Sequence, residues 1–205
     1  WKEWFVSFVD PSAGQRLCDL ACGSGDITLA LLSRQPKLEV VCVDPSRAML
    51  TQARTKLAGK RALGSQALST IDFIQNWAEN LCSLDDESFD AVVCSFGFRN
   101  MTEKDKALRE IYRILKPGGT FHLLEFSQVQ GLFKYPYQFF RDSLLPQIGR
   151  LVGDRDSYQY LAQSIDVFWS PEKVILQLSE AGLKFDKTHK LTGGICQYYC
   201  SSKVS

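Results

Sequence analysis

Short apolar runs separated by amphipathic segments fill most of this 205-residue chain, and that alternation leaves few folds open. Segments 16–21 (RLCDLA), 38–43 (LEVVCV), 71–75, 89–96 and 120–126 (TFHLLEF) read as buried strands. Most are nearly continuous in Val, Leu, Ile, Phe and Cys, the pattern of strands covered on both faces. Segments 26–33, 46–57 and 103–115 read as helices between them. Met49, Leu50, Ala53 and Leu57 fall on one helical face, as do Ala107, Leu108, Ile111 and Leu115. Thr102 is placed to cap the third helix, and Lys116-Pro117-Gly118-Gly119 to end it. Strand–helix alternation of this kind predicts βαβ units and an α/β fold with a mostly parallel sheet. A last helix over 171–181, closed by Gly182, precedes two runs, 184–189 and 196–203. Joined around Gly193-Gly194, these read as a terminal antiparallel hairpin.

One stretch breaks the rhythm. Residues 128–170 carry nine of the chain's 24 aromatics. They read as a helical insertion into a single domain over 1–205. As a packing element it covers a sheet edge; as a functional one it is an aromatic-walled lid over a bulky apolar ligand. The opening Trp-Lys-Glu-Trp-Phe-Val begins without Met and reads like the middle of a helix, so the expectation is a trimmed start with any targeting segment out of view. Composition narrows the partners. The net charge of +1 offers no basic surplus for nucleic acid. No apolar run approaches the ~20 residues of a membrane span. The seven cysteines form no CxxC pair, and Cys18, Cys42 and Cys94 sit in apolar runs. They read as small buried hydrophobes in a reducing compartment, with no metal site. His122, inside an apolar strand, reads as a satisfied core histidine.

The chemistry gathers where strands become helices. Asp19-Leu20-Ala21-Cys22-Gly23-Ser24-Gly25-Asp26 joins the first strand to the first helix. Its glycines let backbone approach a ligand, and the helix start offers unpaired N–H groups. Thr28 stands where a dinucleotide fingerprint needs its third glycine, and Asp19 would repel a pyrophosphate. The turn therefore suits a ligand with an ammonium group and no phosphate. Asp44 ends the second strand, where a carboxylate can accept both hydroxyls of a ribose. Together they read as a nucleoside site. A ligand-free turn and a helix-capping Asp44 are the structural alternatives.

These segments also carry a resemblance. DLACGSGD (19–26), VDPSRAML (43–50), SFGFRN (95–100), ALREIYRILKPGG (107–119), LEFSQV (124–129), SYQYLAQSI (157–165) and LTGGI (191–195) resemble the ubiquinone/menaquinone biosynthesis C-methyltransferase family. The likeness runs nearly the whole chain. It implies a Rossmann-like class I methyltransferase sheet with a C-terminal antiparallel hairpin, and S-adenosyl-L-methionine as cofactor. It implies cofactor binding by Asp19, Ala21, Gly23, Ser24, Gly25, Asp44, Pro45 and Ser95. The family's Asp or Asn followed by Ala, bordering adenine, falls on Trp77 and Ala78, with Asn76 one residue early. Either Asn76 reaches the base through a local shift, or Trp77 stacks on it. Leu81-Cys82-Ser83-Leu84 replaces the usual Leu-Pro-Phe and is one residue longer.

The reaction implied is methyl transfer to a ring carbon of a polyprenylated benzoquinol or naphthoquinol. Arg99 and Asn100 take the catalytic positions: Arg99 to stabilise the quinolate or polarise a water, and Asn100 to fix the ring oxygen. A guanidinium does not readily give up its proton, so it is not a direct base. Phe98, Glu125, Tyr158 and Tyr160 are the expected substrate-pocket residues, Glu125 either orienting Arg99 or serving as base. An ion pair from Arg99 to an acid such as Asp105 is the structural alternative. Three rival functions stay open: a methyltransferase on another small molecule, a nicotinamide oxidoreductase, and a non-catalytic cofactor-binding subunit of a quinone-biosynthesis complex. A lipid-tailed substrate implies peripheral membrane contact, in a bacterial cytosol, at a mitochondrial matrix face or in a plastid. Homodimer or larger complex is open.

Overall fold

A computed structural model describes residues 1–62, 70–127, 163–165 and 167–204. Among them, helices α1 (Lys2–Val9), α2 (Asp26–Arg34), α3 (Arg47–Ala62), α4 (Lys104–Ile114) and α5 (Pro171–Glu180) accompany strands β1 (Arg16–Leu20), β2 (Glu39–Asp44), β3 (Thr70–Gln75), β4 (Phe89–Ser95), β5 (Leu115–Phe126), β6 (Leu183–Leu191) and β7 (Cys196–Lys203). One sheet holds all seven strands in the order β3-β2-β1-β4-β5-β7-β6. β1 to β5 pair in parallel, and β7 enters antiparallel between β5 and β6. The α/β expectation and the terminal hairpin hold.

The continuous apolar runs have their reason in two cores. Alternate residues of each central strand face opposite sides. Cys18, Leu20, Val41, Val43, Val92 and Cys94 join the layer under α4 and α5, with Ile111 and Val174. Leu17, Val40, Cys42, Ala91 and Val93 join the layer under α1 and α2, with Phe5 and Leu31. A strand with no solvent face has no polar half to alternate with. The cysteines in these runs are enclosed free thiols, as expected. His122 is also as expected. It is 4% exposed, its Nδ1 lies 2.8 Å from the Tyr198 hydroxyl, and its Nε2 lies 2.9 Å from Thr120 Oγ1.

Three local expectations are corrected. Thr102 does not cap α4: Glu103 holds the cap position without a side-chain bond. Glu79 Oε1, from the segment after β3, instead accepts the amides of Thr102 and Glu103 at 2.8 and 3.2 Å and so fastens the chain just ahead of the helix. Residues 116–119 do not simply stop the helix. α4 ends at Ile114, and the Lys-Pro-Gly-Gly segment is the start of β5, beside a register shift between Phe89 and Ala91. Met49 does not join Leu50, Ala53 and Leu57 in the core; it is 40% exposed at the sheet's C-terminal edge. The 128–170 expectation falls almost wholly outside the described residues. Its end does not: Phe168 and Trp169 lie edge-on to Phe98, with centroids 6.3 and 5.8 Å away.

Candidate active site at the strand ends

The strand order reverses direction between β1 and β4, both of which run parallel to β2 and β5. The loops leaving β1 and β4 therefore part to opposite faces and leave a crevice beyond the carboxyl ends of the strands. Ligands of open α/β sheets sit at such a point. Here the crevice is a cavity of about 350 Å3 walled by the ends of β1, β2, β3 and β4. Ala21 and Gly23 come from the first loop, Asp44, Pro45 and Met49 from the second. Asn76, Trp77, Ala78 and Glu79 follow β3, and Phe96, Gly97, Asn100 and Met101 follow β4.

The backbone here is held in unusual conformations. Ala21 and Phe96 adopt φ of 56° and 58°, positions that cost energy for residues with a Cβ. Gly97 sits between them, and a Cβ on it would lie 2.4 Å from the Ala21 Cβ. Only glycine lets the two loops approach this closely. Gly23, at φ 53°, has open space where a Cβ would project, so the turn presents bare backbone.

Asp44 ties the wall together. It is 8% exposed; Oδ2 accepts the Gly23 amide at 2.9 Å and Oδ1 the Ser46 amide at 2.8 Å. A carboxylate has lone pairs to spare beyond these two bonds. Trp77 is 60% exposed on the wall, and its amide donates to Asn76 Oδ1 at 2.9 Å.

Other expected cofactor residues lie behind the wall rather than on it. Asp19 is 1% exposed, and its Oδ2 takes the Thr28 hydroxyl at 2.6 Å and the Thr28 amide at 3.1 Å. The residue standing where a third glycine would be is thus the partner of that acid. Burial pushes the Asp19 carboxyl up to about 7, against the pull of the Thr28 bonds. Ser24 accepts from Lys56 Nζ at 2.9 Å, and the same ammonium bridges Asp26 at 2.6 Å. Gly25 donates to the Cys22 carbonyl at 2.9 Å and closes the turn. Ser95 pairs with Leu124 as the last residue of β4.

Arg99 and Asn100 are neighbours that serve different surroundings. Asn100 is on the cavity wall. Arg99 turns to the buried carboxylate at the end of β5. Its Nη1 lies 2.8 Å from Glu125 Oε1 and also bonds the Phe96 carbonyl, while Nε donates to Ser164 Oγ at 3.1 Å. The Arg99 amide donates to Glu125 Oε2 at 3.0 Å, and the Phe126 amide to Oε1 at 2.8 Å. The guanidinium also lies over the Phe126 ring, 5.1 Å from its centroid. Burial pushes the Glu125 carboxyl up, and the Arg99 charge opposes it most strongly. The ion pair is therefore made with Glu125, the orienting partner expected from the sequence, and not with Asp105. Phe98 is buried in the core, because a 3-10 turn over Phe98–Asn100 sends consecutive side chains in different directions. Tyr158 and Tyr160 lie outside the described residues.

The sequence reading missed Met49, Glu79, Phe96, Gly97 and Met101 on the wall, and Ser164 beside Arg99. SFGFRN contains two of them, so the motif pointed to the place if not to the roles. Nothing local to Glu79 or Ser164 announces a partner 23 or 65 residues away.

Comparison with known proteins agrees with this geometry. A family model described as the ubiE/COQ5 methyltransferase family matches residues 1–203. A Xanthomonas oryzae protein named ubiquinone/menaquinone biosynthesis C-methyltransferase UbiE is 41% identical over 207 residues, covering 100% of this chain and 79% of its own. The crystal structure of a SAM-dependent methyltransferase from Aquifex aeolicus matches with a TM-score of 0.70 at 17% identity, over 99% of this chain and 89% of that one. The [4+2]-cyclase SpnF matches with a TM-score of 0.71 at 18% identity, over 98% and 81%. At such identity the structural matches speak for the fold alone, and the cyclase shows that one scaffold hosts unlike reactions.

Proposed function

The chain belongs to the ubiE/COQ5 methyltransferase family, and from that premise we propose how its cavity and the Arg99–Asn100 corner serve the reaction. The activity is S-adenosylmethionine-dependent C-methylation of a quinol ring in ubiquinone/menaquinone-type biosynthesis. One observation carries the site assignment. The cavity at the switch point joins a bare glycine turn, a ribose-type acid and an exposed aromatic, and lies beside a buried arginine–carboxylate pair.

The residues present fit the cofactor. Asp44 accepts the ribose hydroxyls while its backbone bonds hold the Gly23 turn in place. Gly23 and Ala21 offer backbone to the amino-acid end, and Trp77 and Ala78 border the base. Asp19 shapes the turn from behind through Thr28. When bound, S-adenosylmethionine supplies an electrophilic methyl group on a sulfonium sulfur.

The acceptor carbon becomes nucleophilic when the neighbouring ring hydroxyl gives its proton to water, and the proton on that carbon leaves to water once the methyl is in place, so that the ring regains its aromaticity. Asn100, on the wall, hydrogen-bonds that ring oxygen. Arg99 adds positive potential from beside it, its position fixed by Glu125, the Phe96 carbonyl and Ser164. Charge stabilisation by a group that need not reorganise is an effective way to lower such a barrier. Alignment of ring carbon and methyl supplies much of the rest.

Among the described residues no helix is long and apolar enough to cross a membrane. A polyprenyl tail makes the substrate a bilayer lipid, so the reading places the chain at a membrane surface during turnover. That surface belongs to a bacterial cytosol, a mitochondrial matrix face or a plastid. Assembly as a homodimer or within a quinone-biosynthesis complex belongs to the same proposal. Ligand-dependent melting tests the cofactor assignment. S-adenosylhomocysteine should raise the Tm and NADH should not; the reverse would return the site to an oxidoreductase.

A further inference from the structure

Phe96 and Phe126 are half-buried rings at the ends of β4 and β5, their centroids 4.6 Å apart. Trp1 closes a third side, 5.8 Å from Phe96 and 6.1 Å from Phe126. Its indole nitrogen donates to Thr192 Oγ1 at 2.8 Å. That bond brings in the LTGGI segment, which the cofactor site leaves unused, and Thr192 there holds a φ of 48°. Two residues in costly backbone conformations, Phe96 and Thr192, thus meet around one indole.

The place of this cluster follows from the cofactor. With the ribose at Asp44 and the base beyond β3, the amino-acid end and its sulfonium lie toward the loops of β1 and β4. Phe96, Gly97 and Asn100 wall the cavity at that end. The carbon that receives the methyl must lie in line just beyond them. On the β5 side of that point stands Phe126, with the Arg99 guanidinium over its ring at 5.1 Å from the centroid. A ring lying there is flanked by Asn100 and Arg99, the two residues given to its oxygen.

We propose that Phe96 and Phe126, closed off by Trp1, are the wall against which the quinol ring lies, and that this wall selects an aromatic acceptor. Contact between rings is directional, so it sets the tilt of the acceptor as well as its affinity. Phe96 touches the substrate; Trp1, tied to the hairpin through Thr192, positions it.

The inference rests on the quinol reading above, and one set of titrations separates the two. The full chain, loaded with S-adenosylhomocysteine so that nothing turns over, is titrated anaerobically with a short-tailed demethyl-naphthoquinol and with a saturated cyclic diol carrying the same tail. The wild type should prefer the quinol. Phe96→Leu should raise the quinol Kd about 2- to 12-fold, the worth of one aromatic contact, and so narrow that preference. Phe96→Tyr, which keeps the ring, should stay within about 2-fold. Trp1→Leu should weaken the quinol in the same sense by a smaller factor. Leucine carries a Cβ as phenylalanine does, so the φ of 58° costs it the same and the fold should stand. S-adenosylhomocysteine affinity should change by less than about 3-fold in Phe96→Leu. Quinol affinity unchanged in Phe96→Leu, or quinol and diol weakened alike, overturns the wall and leaves the quinol reading intact. A wild type that binds S-adenosylhomocysteine but no quinol overturns both.

Discussion

Arg99 and Glu125 meet at 2.8 Å with side chains only 8% and 0% exposed. The pair is the pivot of the corner. Through it the β4–α4 loop is tied to the end of β5, and the strained Phe96 is held by its carbonyl. Removing one partner of such a buried pair strands the other's charge, at about 3–5 kcal/mol.

Stability and catalysis can therefore be separated by pairing substitutions. Arg99→Met should lose roughly that much stability, and Arg99→Met with Glu125→Gln should recover most of it. Turnover should stay ~100-fold or more below wild type in both. S-adenosylhomocysteine affinity should survive in the double variant. Urea denaturation, calorimetry and turnover on the same preparations check this; double-variant turnover near wild type removes Arg99 from the chemistry.

Gly97→Ala introduces a Cβ 2.4 Å from that of Ala21. The Gly97 backbone, at φ −107°, is open to any residue, so the cost is contact alone. The two loops must part, destabilising the fold by about 1–3 kcal/mol. Because both loops line the cavity, S-adenosylhomocysteine affinity should fall as well. Denaturation midpoint and Kd, measured together, should move in the same direction.

Asp44→Asn keeps the shape but removes the charge and one strong acceptor. Its two backbone bonds, to Gly23 and Ser46, compete for the remaining carbonyl oxygen. Cofactor affinity should drop ~10- to 100-fold. Calorimetry reads it directly, with the Tm of the free protein as control for loosening of the turn.

Two buried groups give stability opposite slopes with pH. Burial holds His122 down at about 4. Between that value and an unfolded value near ~6.5, the unfolded chain binds a proton that the folded one does not. Stability from this group is thus present above ~6.5 and lost as pH falls to about 4, by about 3 kcal/mol. Asp19, raised to about 7, acts in reverse. From an unfolded value of ~3.9, the folded state keeps its proton longer, so stability falls as pH rises toward 7 and then levels. His122→Gln should flatten the acid-side rise, and Asp19→Asn should flatten the fall between pH 4 and 7. Urea melts of both variants from pH 4 to 8 distinguish them.

What the sequence disclosed and what it hid differ in kind. Doubly buried strands such as 38–43 announce themselves, because apolar continuity is local. The Gly-Ser-Gly turn, Asp44 and SFGFRN likewise mark the cavity's edge by residue type and place. The contacts that build the corner do not. Glu79 fastens the entry to α4 across 23 residues, Lys56 holds Ser24 across 32, and Ser164 meets Arg99 across 65. The first goes with a corrected expectation, Thr102 as a cap: the cap position falls one residue later, on Glu103, whose own amide is held by a carboxylate from another segment. Met49 went astray for a related reason. It shares a helical face with Leu50 and Ala53, but the first turn of α3 overhangs the strand ends, where core gives way to cavity.

The most direct measurement of the central claim is product analysis by mass spectrometry. Demethyl-naphthoquinol and demethyl-benzoquinol are offered together to the full chain with methyl-labelled S-adenosylmethionine. The expected result is label on a ring carbon of at least one quinol, formed ~100-fold or more slowly by Arg99→Met with Glu125→Gln. Label on a hydroxyl oxygen, or none on either quinol despite tight cofactor binding, would contradict it.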